Sequence, residues 1–136
     1  MLDEFVVDTC IYTIVHTETL DKMYREGGQG EIVERKPWVS AQRLLTTAKK
    51  QNKTLLVLFA PAEATSQLIY FAKLEDVKIG KDKSTKYRFS GLTPFKKPRP
   101  LKSSLIVVST ERPLDPYFIR PYAICRTPEF LKNKAN

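Results

Sequence analysis

This 136-residue chain holds only one histidine, one tryptophan, two cysteines and five glycines. His16 has no second histidine or cysteine at ligand spacing, which argues against a zinc site. Cys10 and Cys125 stand near opposite ends of the chain and form neither a disulfide framework nor a metal-binding pattern, so two free thiols in a reducing compartment are expected. The longest apolar runs, such as Leu55 to Pro61, are far too short to span a bilayer, and no apolar leader follows a basic start. A soluble, cytoplasmic protein is the expectation.

The remaining candidates for chemistry fail on spacing. Gly27, Gly28 and Gly30 lack the strand and helix that flank a phosphate-binding glycine loop, and they are read as a mobile turn. Cys10 and His16 share one strand parity, but the residues between them separate the two by about 20 Å at about 3.3 Å per residue. Glu75 and Asp76 are adjacent on a predicted strand, so their carboxylates point to opposite faces. No catalytic residue, metal or cofactor is therefore predicted, and the chain is expected not to be an enzyme.

Charge is what the sequence does have, and it is segregated. The window from Lys78 to Lys102 holds nine Lys or Arg against the single acid Asp82, so it alone carries the net charge of +8. The remaining residues balance 14 bases against 14 acids. Segregation of this kind points to an anionic partner. Within the window, Thr85, Tyr87 and Phe89 alternate with Lys86, Arg88 and Ser90, the pattern of a half-buried strand with a basic outer row. Lys86 and Arg88 would stand about 6.6 Å apart, near the spacing of neighbouring phosphates. The stretch "PFKKPRPLK" then spreads Lys96, Lys97, Arg99 and Lys102 along a proline-rich extended loop. These six cations are the candidate phosphate-binding residues.

The order of elements suggests one domain over residues 1–136, with no internal repeat. Phe5 to His16 reads as a central strand and Thr19 to Arg25 as a short helix. Ser40 is a suitable N-cap for a helix whose Ala41, Leu44, Leu45 and Ala48 form one apolar stripe. Strands are expected at Thr54 to Pro61 and at Gln67 to Ile79, the latter bulged near Leu74 to Val77 where the apolar parity shifts. Further extended segments follow at Ser103 to Thr110 and Ile119 to Cys125, and Thr127 with Pro128 opens a terminal helix. The fold class is α+β, a small mixed β-barrel with flanking helices.

A Trp before a helix ("WVSAQRLL"), the strand "TLLVLFAP", the hairpin "LIYFAKLEDVKI" to "TKYRFSGL", the strand "SLIVVST" and a closing helix resemble the PUA-like superfamily, nearest its EVE, YTH and ASCH domains. Asn52-Lys53 stand where EVE domains often have Gly-Asp, and the ASCH signature is absent. The resemblance implies a pocket for a modified or flipped nucleobase, lined here by Trp38, Ser40, Phe59 and Ala60. The alternative role for Trp38 is a staple holding the helix to the sheet. The function expected is a nucleic-acid-binding module for DNA or RNA. A regulatory domain meeting an acidic protein partner is the alternative, followed by a small hydrolase of modified nucleosides such as some ASCH members resemble.

Overall fold

Every residue of Leu56–Pro61 is buried, which alternation alone would not produce in a strand with one wet face. The reason is its place in the sheet of a computed structural model that describes residues 5–115 and 121–132. The strands are β1 (Phe5–Val6), β2 (Thr9–Val15), β3 (Gly30–Glu34), β4 (Lys53–Thr54), β5 (Leu56–Pro61), β6 (Gln67–Ile79), β7 (Thr85–Pro100), β8 (Ile106–Val107), β9 (Arg112–Pro113) and β10 (Tyr122–Arg126). The helices are α1 (Thr17–Arg25), α2 (Val39–Lys50), α3 (Leu101–Ser104) and α4 (Glu129–Lys132). Eight strands join in one sheet in the order β3-β7-β6-β5-β2-β10-β8-β9, and β1 pairs with β4 separately.

The protein is thus a mostly-sheet α+β domain. Among the described residues the ladder does not close on itself, so the expected barrel is an open mixed sheet. Both ends resist further pairing: β3 carries Glu31 and Glu34, and β9 ends on Pro113, which has no N–H to donate. β2 and β5 run parallel at the centre, with Ile11 opposite Val57 and Thr13 opposite Phe59. Alternate residues of this pair enter two separate cores. Ile11, Val57 and Phe59 join Leu20, Trp38, Ala41 and Leu45 from the helical side. Cys10, Tyr12, Leu56, Leu58 and Ala60 join Leu101, Leu105, Leu114 and Leu131 on the other. Covering both faces explains the unbroken apolar run.

The long β6–β7 ribbon carries the register shift expected after Leu74, with others after Leu68 and Phe71. The shift after Leu74 places the extra residue on β6 and turns its buried parity over, so Leu74 and Val77, an odd number of residues apart, both reach the first core. α2 buries Ala41, Leu45 and Ala48 as expected. Its N-cap position is Trp38, however, and Ser40 lies inside the first turn without a capping role. The segment from Ser103 to Thr110 is a correction of a different kind: α3 occupies its start and only Ile106–Val107 is strand. Ile119 lies outside the described residues, and the extended segment there begins at Tyr122. Thr127 does not cap α4; its hydroxyl donates to the carbonyl of Val7 at 2.8 Å, tying the chain end to the first strands.

The glycine cluster serves packing. Gly27 and Gly28 end α1 at φ of 112° and 79°, and a Cβ at Gly30 would collide with the Met23 sulfur and the Phe89 ring. Among the described residues no helix is long and apolar enough to cross a membrane.

The cysteines, far apart in sequence, are direct register partners across β2 and β10. Both are free and buried, and burial pushes the Cys125 thiol up to about 12. Cys10 is raised well above its ordinary value by burial first and then by Cys125. Since the thiolate is the reactive form, iodoacetamide at pH 8 should leave both unmodified in the native protein and alkylate both in denaturant. Mass spectrometry of the two samples checks this, and fast labelling of the native chain would contradict the buried β2–β10 pair.

Candidate nucleic-acid interface

The sheet sorts the candidate cations into two groups. Lys86 and Arg88 project from the exposed face of β7 as alternation requires. Pairing brings acids to Arg88 that the linear charge count could not place, while Lys86 faces Val33 of β3 and Lys78 of β6. Arg88 lies opposite Glu31 of β3 and Asp76 of β6, and its guanidinium is 3.9 Å from the Asp76 carboxylate, which also meets Lys78 at 3.7 Å. Glu75 accepts a short hydrogen bond from Ser90 beside it. Arg88 therefore sits in a groove of about 420 Å³ shared with Glu31 and Glu75. Two carboxylates in the lining make that groove a poor phosphate seat.

Residues 95–98 form the second group. Pro94 pairs with Tyr70 and Arg99 with Leu68, so these residues stand across from Ile69 alone and bulge out of the ribbon. The expected loop is thus a bulged strand end within β7, exposed from Lys96 to Pro100. Phe95 fixes its base, with its ring 5.1 Å from Phe71 and 6.0 Å from Phe130 of α4. Arg99 lies over the Phe130 ring at 4.2 Å. Lys96 and Lys97 have no ion-pair partner among the described residues. Lys102 belongs to α3, directly after the bulge. The neighbouring Lys132 is engaged by Asp8 at 2.9 Å and by Glu129 at 3.6 Å.

The expected base pocket is not assembled. Trp38, Phe59 and Ala60 are fully buried, and Phe59 and Ala60 face opposite cores. Ser40 is exposed on the surface. Trp38 is stacked on Tyr87 with ring centroids 4.3 Å apart, and Tyr122 covers it at 4.8 Å. Its backbone N–H donates to Thr85 Oγ1 at 2.9 Å, and that hydroxyl donates in turn to the Lys36 carbonyl at 2.7 Å. The half-buried Tyr122 accepts from the Ser40 backbone N–H at 3.2 Å. Trp38 is the staple in this structure, because the ring that a base would meet is already taken by two tyrosines. Tyr122, at the end of an extended segment, carried no sequence signal for this role beyond its aromatic type.

Elsewhere the titratable groups are dispersed. His16 is exposed, 3.9 Å from Glu63, and Glu63 is lowered chiefly by the Thr17 backbone N–H that it accepts. Among the described residues no three His, Cys, Asp or Glu side chains cluster as a metal site. No protein-family model matches the chain, and no curated protein matches its sequence.

Trp38 Nε1 and the Tyr87 hydroxyl are buried without a hydrogen-bond partner among the described residues. Trp38→Ala should cost about 3–5 kcal/mol of folding stability through the cavity it leaves, whereas Tyr87→Phe keeps the stack, removes an unsatisfied hydroxyl and should match or exceed the parent in denaturant melts. Burial also raises the Glu34 carboxyl above its ordinary value of 4.5. The folded state then holds that proton more tightly than the unfolded state, so stability is lost as pH rises from 4.5 through the raised value. Glu34→Gln should accordingly raise Tm at pH 7 and lose its advantage below pH 4.5, which paired thermal melts would reveal.

Proposed function

We propose that this domain is a nucleic-acid-binding module of PUA-like build, without catalytic activity, that holds phosphates on the bulge of β7. One observation carries the reading: Lys96 and Lys97 stand on a bulged strand segment whose aromatic base is fixed, with Arg99 directly after it, while the acids of β3 and β6 lie beside Arg88 instead. A bulge re-aims side chains away from the ladder, and its prolines keep the segment extended. Phosphate contact from such a segment gives affinity without sequence preference. The order of elements, with helices on the flank of a mixed sheet, supports the PUA-like part of the reading, while the sheet stays open among the described residues. The buried Trp38 gives no support to base reading at that residue, so the module is proposed as a backbone binder.

The test is fluorescence anisotropy with labelled oligonucleotides. Lys96→Glu with Lys97→Glu should weaken binding at least tenfold without changing Tm, since neither side chain is buried. For the parent protein, log affinity should fall linearly with log salt, by about 0.7 per phosphate contacted on single strands and about 0.9 on duplex. Lys86→Glu should have the smaller effect. Unchanged binding by the double variant, or equal affinity for poly-glutamate and oligonucleotide, would overturn the proposal.

A further inference from the structure

Among the described residues, Phe130 is one of five large apolar side chains left exposed, at 38% of its surface. Arg99 lies over its ring at 4.2 Å, and Phe95 meets it edge-on at 75°. Lys96 and Lys97 adjoin Phe95 in the chain and are exposed. The acid on the same short helix, Glu129, is met by Lys132 at 3.6 Å. An aromatic surface therefore lies under one cation, and the Phe95 that meets its edge is followed in the chain by two more, with its position set by the Phe71–Phe95 contact.

A phosphate ligand alone has no use for an exposed ring. Neither does a duplex held by its backbone, because its bases are stacked on one another and present only edges in the grooves. A single strand offers both features: phosphates for Lys96 and Lys97, and an unpaired base whose π-face can lie on an aromatic ring or a guanidinium plane. Arg99 serves both parts, since a guanidinium that already packs on one ring can stack with a base while pairing with a phosphate.

We infer that the nucleic acid taken by this surface is single-stranded, with one base stacked on the Phe130–Arg99 pair and its flanking phosphates on Lys96 and Lys97. The inference rests on the phosphate-binding role proposed for the bulge. It adds the strandedness of the ligand and Phe130 as the residue that sets it.

Phe130→Leu keeps an apolar side chain against Phe95 while removing the π-face, and Phe130→Trp enlarges that face. Anisotropy titrations would use a labelled single-stranded dodecamer, the same sequence as a duplex, and inorganic polyphosphate, a polyanion without bases. The parent protein should bind the single strand more tightly than the duplex. Phe130→Leu should lose roughly 5- to 150-fold on the single strand with polyphosphate binding and Tm unchanged, and Phe130→Trp should restore the loss. Equal binding of single strand and duplex by the parent, or no loss in Phe130→Leu, overturns the inference. Loss in the Lys96→Glu, Lys97→Glu variant with none in Phe130→Leu removes stacking alone, whereas no loss in either removes the phosphate-binding role as well.

Discussion

Burial of the central parallel pair on both faces is the constraint from which the rest of this fold follows. β2 and β5 have no solvent side: Ile11, Val57 and Phe59 enter one core, and Cys10, Tyr12, Leu58 and Ala60 the other. A sheet buried twice at its centre needs two covers. One is supplied by α1 and α2, through Leu20, Ala41, Leu45 and Ala48. The other comes from α3 and the segments around it, through Leu101, Leu105, Leu114 and Leu131. With 136 residues, little is left over for a buried functional cavity. Trp38 illustrates the consequence, since it fills the seam between helix and sheet and its two faces are taken by Tyr87 and Tyr122.

The same constraint pushes charge to the outer strands. Basic side chains cannot enter either core without partners, so they occupy the outward rows of β6 and β7 and the bulge beyond. Once there, pairing decides which of them remain available. Strand register sets Glu31 and Asp76 on either side of Arg88, and these contacts reduce the positive field where the sequence is richest in alternating cations. The bulge escapes this because residues 95–98 have only Ile69 across from them. No cross-strand acid can be placed opposite residues that have no cross-strand partner.

This difference between local and non-local information also explains what could be read from the chain. The α2 stripe, the β6 boundaries, its bulge after Leu74 and the outward row of Lys86 and Arg88 are all set by side-chain periodicity, and all were legible. β3 was not, because Gly30–Glu34 has two acids and an exposed Val33 in place of an alternating apolar row. The pairing of Cys10 with Cys125 spans nearly the whole chain and depends on β10 meeting β2, which no local pattern encodes. Closure of the sheet was equally out of reach, since it depends on whether two edges meet. The Trp38 pocket failed for a related reason: position before a helix fixes where a tryptophan stands, while its exposure depends on tyrosines supplied by β7 and β10.

A bulge on a long ribbon is also a mechanically sound place for a binding surface. Insertion of extra residues in a strand frees their backbone from the ladder, which ordinarily costs local order. Here the loss is limited by Phe95, which pins the bulge through Phe71 on one side and Phe130 on the other. The prolines at 94, 98 and 100 restrict the backbone further, because each fixes its own φ and biases its predecessor toward extended conformations. Less conformational entropy then remains to be lost when a ligand is engaged. Lys96 and Lys97 keep their own side-chain freedom, which suits contacts to phosphates that differ in spacing from one bound strand to the next. The phosphate-binding role proposed above would draw on this restricted backbone and on cations that stay adaptable, with the ring of Phe130 under Arg99 beside them.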